Sequence, residues 1–98
     1  MSTLHVLSHS PFGDSRLTSC LRLLGSADGL LLTGDAAYAL QPDTAPQAAL
    51  LAHAGLTLFV LAEDAEARAL AIPHWAKAID YPAFVELSLH HDKVNTWL

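Results

Sequence analysis

A single cysteine, Cys20, is all the thiol chemistry this 98-residue chain contains. One cysteine excludes an internal disulfide and leaves the thiol free for chemistry or for packing. Charge is scarce as well: Asp, Glu, Lys and Arg together make 15% of the chain, against about 25% in an ordinary globular domain. The five basic residues (Arg16, Arg22, Arg68, Lys77 and Lys93) are scattered, and the formal net charge is −5. That is the wrong footprint for gripping a phosphate backbone, so no direct nucleic-acid contact is expected. No apolar run approaches the roughly 18 residues of a membrane span; the longest dense one is Leu56 to Ala62. The start, Met1-Ser2-Thr3-Leu4-His5, lacks the basic region of a signal peptide, which predicts a cytoplasmic chain without membrane association. Gly25, Gly29 and Gly34 are too dispersed for a dinucleotide fingerprint or a P-loop.

Apolar residues, by contrast, make 52% of the chain, and the mean hydropathy is positive. So little polar surface does not cover a monomer comfortably, which predicts a protein partner. The length suits one domain over residues 1–98, with no internal repeat or linker.

Leu4-His5-Val6-Leu7 reads as a short buried strand. Ser8 to Asp14 is turn chemistry, with Pro11 fixing φ and Ser10 or Asp14 available as a helix cap. Leu17, Cys20, Leu21 and Leu24 then recur at the spacing of one helical face, and Gly25 suits a left-handed end to that helix. Leu30-Leu31-Leu32-Thr33 is a second buried strand, apolar on both faces. Ala36 to Leu40 reads as a short helical turn. Thr44 to Ala54 reads as a helix with Thr44 at its N-cap and Pro46 in its first turn, ended by Gly55. It is apolar nearly all round, which predicts docking on a neighbour. Leu56 to Leu61 is the clearest strand. Glu63 to Leu70 follows as a helix, Ala78-Ile79-Asp80 as a short strand, and Asp80 or Tyr81 opens a helix with Pro82 at its start. Val94 to Trp97 closes the chain as a strand. Strands alternating with helices predict an α/β fold, a mostly parallel sheet of about five strands covered on both faces.

Reactive groups in such sheets gather beyond the carboxyl ends of the strands, and Cys20 is the residue to weigh there. Free cysteine is among the most buried residue types, so one reading is a small core hydrophobe. The other places Cys20 at the edge of its apolar stripe with Arg16 one turn earlier, where a guanidinium favours the nucleophilic thiolate. A Cys20–His9 pair across the turn is conceivable. The six histidines show neither the i, i+4 helical pair nor the Cys/His spacing of a zinc site, so no metal is expected. His5 reads as a hydrogen-bonded core histidine, and Asp35 as a turn residue at a position where sheet folds carry function.

Leu4-His5-Val6-Leu7 with Ser10-Pro11-Phe12 and Ser19-Cys20-Leu21 resembles the DsrH/TusB family of small sulfur-relay proteins. So do Leu31-Leu32 with Asp35 and Tyr38, and Val60-Leu61 with Asp64, Ala67 and Arg68. Asp80-Tyr81 with Phe84-Val85-Glu86-Leu87 and Val94-Asn95-Thr96-Trp97 complete the match. Ala36 and Ala69 stand where that family often carries glycine, which bears on a local turn at each position.

The resemblance implies a three-layer α/β/α subunit of the DsrE/DsrF/DsrH type in a heterohexameric sulfurtransferase complex. It implies TusC/DsrF-like and TusD/DsrE-like partner subunits, an upstream persulfide carrier, a downstream TusE/DsrC-like acceptor, and no cofactor. The sulfur is passed toward 2-thiouridine at the tRNA wobble position, or moved during dissimilatory sulfur oxidation. The principal sulfur-carrying cysteine of such complexes lies on the DsrE/TusD-type chain. Cys20 is then a candidate secondary persulfide carrier with Arg16 as its thiolate stabiliser, or the chain is a non-catalytic scaffold.

Overall fold

The computed structural model describes residues 2–97. Five strands, β1 (Thr3–Leu7), β2 (Gly29–Leu32), β3 (Leu58–Leu61), β4 (Lys77–Ile79) and β5 (Lys93–Trp97), form one sheet in the order β4-β3-β2-β1-β5. Every pairing is parallel, with Val6 opposite Leu31 and Leu7 opposite both Leu32 and Trp97. The triple leucine of β2 follows from its central position. A strand paired on both edges and covered on both faces has no polar side, and Leu30, Leu31 and Leu32 are fully buried. Each such leucine contributes about 1.5–3 kcal/mol of apolar burial.

Helices α1 (Arg16–Leu23), α2 (Ala45–Ala52) and α3 (Ala62–Ala67), with a 3-10 segment at Gly34–Leu40, pack on one face of the sheet. The single helix α4 (Tyr81–His90) covers the other face, where Ala83, Phe84 and Leu87 meet Leu4, Val6, Leu31, Leu61 and Ile79. The architecture is three-layer α/β/α with an all-parallel sheet. Chain direction sets the layers: β1 to β4 advance toward one edge through elements on the first face. The chain then crosses back over α4 to place β5 beside β1.

The caps explain the element boundaries. Thr44 Oγ1 accepts from the Gln47 amide at the start of α2, with Pro46 in its first turn. Asp80 caps α4 by accepting from the Ala83 amide at 2.9 Å, and so lies outside β4 rather than ending it. Helix α1 departs from the sequence reading: its N-cap is Ser15, which makes no side-chain cap bond, while Asp14 accepts from the Arg16 amide at 2.9 Å just before it and Ser10 Oγ accepts from Phe12 within the turn. Gly55, with φ of +71°, turns the chain out of the α2 region.

Several boundaries differ from the sequence reading by one to three residues, and two of them have a distinct local cause. Gly25 is not left-handed: α1 ends at Leu23 with Leu24 extended, and the Gly25 amide instead donates to Asp28 Oδ2 at 2.8 Å. A side-chain carboxylate satisfies the turn, so no left-handed glycine is needed there. Helix α3 stops at Ala67, three residues earlier than periodicity suggests, because Ala69 takes up φ of +54°.

Apolar surface remains outside the two packed faces. On α2, Pro46 and Leu50 point inward while Ala48, Leu51 and Ala52 are exposed. On α4, Tyr81, Val85 and Leu89 form an outward stripe, with Leu89 79% exposed.

Candidate functional site

Cys20 lies in the larger core cluster with Leu7, Leu17, Leu30 and Leu32, and its side chain has no exposure. Burial pushes the thiol up to about 12, and the Asp28 carboxylate adds to the rise by opposing a second negative charge. The group is therefore a protonated thiol at neutral pH, packed as a small hydrophobe. Asp28 sits just before β2, at the amino-terminal edge of the sheet, so the electrostatic neighbour of Cys20 lies away from the strands' carboxyl ends.

Arg16 occupies a different environment. Its guanidinium pairs with Asp14 at the start of α1, and its amide donates to the same carboxylate. That amide bond and the guanidinium hold Asp14 below the usual carboxylate range. His9 is exposed in the turn, and no hydrogen bond joins it to Cys20 among the described residues. Among the described residues, the Arg16 guanidinium is engaged with Asp14.

What it does assemble is a polar lattice at the carboxyl ends of β2 and β3. Asp64, in the first turn of α3, accepts from the Gly34 amide at 2.8 Å. Gly34 has φ of +50°, a conformation that suits glycine and turns the chain sharply out of β2. Arg68 donates from Nε and Nη2 to Asp35 Oδ1 at 3.0 and 2.9 Å, and from Nη1 to the Asp64 carbonyl at 3.1 Å. Its guanidinium carbon lies 5.9 Å from the centre of the Tyr38 ring. Asp35, Tyr38 and Arg68, which stood apart in sequence, meet through their side chains, and Asp64 joins them through its backbone carbonyl and its bond to the Gly34 amide. Beside α1, an apolar cleft of about 330 Å³ runs between Pro11, Phe12, Leu17 and Thr18 on one wall and Ala45, Pro46 and Ala49 on the other.

A second group joins β1, β2 and β5. His5, 5% exposed, accepts at Nδ1 from the Trp97 indole at 3.1 Å and faces Asp28 Oδ2 with Nε2 at 3.5 Å. Asp28 also accepts from the amides of Thr3 and Gly25, both at 2.8 Å. His5 is thus the hydrogen-bonded core histidine that its apolar strand predicts. Its partners carried no sequence signal, because Trp97 is separated from it by nearly the whole chain and only the β1–β5 register brings them together. His90 and His91 donate from Nδ1–H to the carbonyls of Glu86 and Leu87, one turn back on α4, closing that helix.

A five-stranded all-parallel sheet covered by helices on both faces defines a small three-layer α/β protein, the fold also seen in the ychN protein from E. coli. That solved structure matches with a TM-score of 0.76 and 19% identity, covering 99% of this chain and 100% of the other. The sequence profile described as "DsrH like protein" matches residues 9–94, and the chain belongs to the DsrH-like family. Protein TusB of Erwinia tasmaniensis is 38% identical over 96 residues, 96% of this chain and 99% of that protein. Protein TusB of Yersinia pestis is 36% identical over the same shares.

Proposed function

We propose that this chain is a subunit of a heterohexameric sulfur-relay complex that passes persulfide sulfur toward 2-thiouridine formation at the tRNA wobble position. The observation that carries this reading is its near full-length match to relatives named Protein TusB. The exposed apolar faces of α2 and α4 support an assembled state, since Leu51, Val85 and Leu89 are all more than half exposed. TusC/DsrF-like and TusD/DsrE-like chains are the partners proposed for those faces.

Within the complex the proposed role is structural. A sulfur carrier attacks as a thiolate and must be reached by its donor, whereas Cys20 is fully buried with its thiol pushed up to about 12. The principal sulfur carrier is accordingly proposed to lie on a partner chain.

Intact mass of this chain within its co-expressed complex, loaded by a cysteine desulfurase and its carrier and kept free of reductant, tests the reading. The expected result is a gain of one sulfur atom on the partner chain and none here. A gain on this chain that Cys20→Ser abolishes would instead make Cys20 a persulfide carrier. If the chain forms no complex with those partners, the subunit reading itself fails.

A further inference from the structure

The His5 imidazole is clamped between two groups that prefer opposite protonation states. The indole Nε1–H of Trp97 only donates, so its 3.1 Å bond requires a bare, accepting Nδ1 and a neutral ring. The remaining ring proton then sits on Nε2, directed at the Asp28 carboxylate 3.5 Å away. That carboxylate favours the imidazolium. Protonation from solvent adds a hydrogen at Nδ1, which sets donor against donor at Trp97 and turns the Asp28 contact into a full ion pair.

We infer that His5 is a proton-operated latch for β5: neutral, it holds Trp97 on the sheet; protonated, it releases the indole and tightens on Asp28. The geometry makes the release consequential. Strand β5 is the sheet edge, paired only with β1, and its residues from Lys93 to Thr96 are exposed. The Trp97 ring, tilted 41° to His5 with centroids 6.1 Å apart, packs against the core cluster beside Leu7. Losing the indole bond therefore loosens the carboxyl end of the edge strand and uncovers part of that cluster.

Among the described residues, the charged groups around the latch are few. Asp28 faces His5 from the approach to β2, and Cys20 on α1 lies in the field of the same carboxylate. On β5, Lys93 shares the face of Asn95, the register partner of His5, but is exposed. On α1, Arg16 is paired with Asp14 and Arg22 is exposed. His91 lies beyond Gly29, on the α4 side of the sheet. Of these, Asp28 alone makes a polar contact with the imidazole.

The test is a pH titration of the isotope-labelled full chain by NMR, from pH 5 to 8, following the His5 ring protons and the two indole N–H signals. The Trp97 indole should move together with the His5 titration while that of Trp75 stays fixed. Trp97→Phe, which removes the indole bond with little change of shape, should move the His5 titration toward higher pH, because the bond is made only by the neutral ring. Asp28→Asn should move the titration toward lower pH. An indole signal that stays fixed while His5 titrates, a His5 that does not titrate across this range, or a midpoint unmoved in Trp97→Phe would each overturn the latch.

Discussion

Arg68 places two N–H groups on one oxygen of Asp35, at 3.0 and 2.9 Å, and by doing so ties the end of α3 to the segment that follows β2. The contact is partly solvated, with Asp35 58% exposed, so its strength is that of a good surface pair. Arg68→Ala is expected to cost about 1 kcal/mol, because the bond to the Asp64 carbonyl goes as well. Arg68→Lys should recover little of it, since an ammonium cannot serve Asp35 and the carbonyl together. Urea unfolding of both variants measures the difference, and a double-mutant cycle with Asp35→Asn isolates the pair.

Ala69 holds φ of +54°, in the left-handed region where a Cβ costs about 1–2 kcal/mol. Ala69→Gly should remove that strain, less the extra freedom glycine has when unfolded, for a gain of about 0.5–1 kcal/mol. Thermal unfolding should show it as a rise of several degrees. Ala36, by contrast, is buried within the 3-10 segment with no positive φ. Ala36→Gly should destabilise by about 1 kcal/mol. Opposite signs from the same substitution would tie each effect to backbone geometry.

Cys20 should react with a thiol reagent at neutral pH far more slowly than a free cysteine, until denaturant opens the core. Its titration also sets a sign. The folded value is raised from 9.0 to about 12, so the folded state holds the proton more tightly. The associated stability is complete below pH 9 and is lost as pH rises from about 9 toward 12. Cys20→Ala should remove that alkaline loss while costing on the order of 1 kcal/mol through the cavity. Unfolding curves at pH 7 and pH 10 for both proteins provide the check.

Asp28 carries the opposite sign. The Gly25 amide first, then the Thr3 amide and the neighbouring His5, hold its carboxyl below 3.8. Its contribution is present above the ordinary carboxylate value and is lost as pH falls through the depressed folded one. Asp28→Asn is expected to cost about 2 kcal/mol at pH 7, where two backbone amides lose a charged acceptor. The gap to the parent protein should narrow in acid, which unfolding measured at pH 7 and pH 3 will show.

The sequence by itself determined the elements, because their causes are local. The unbroken Leu30-Leu31-Leu32 run announces a strand covered on both faces, and Thr44-Ala45-Pro46 and Asp80-Tyr81-Pro82 announce helix starts. It also determined the family, through side chains whose order along the chain is distinctive. It left the ends of α1 and α3 imprecise, since a carboxylate three residues on, or one alanine in a left-handed conformation, terminates a helix without any change in periodicity. Only the tertiary structure decided which side chains meet. Asp35 reaches Arg68, and His5 lies between Trp97 and Asp28, because strand order and register bring distant segments together. Only the tertiary structure likewise placed Cys20 in a field set by burial and Asp28. A helical wheel shows which residues share a face, but the charge and solvent that govern a thiol come from whatever the fold lays against that face.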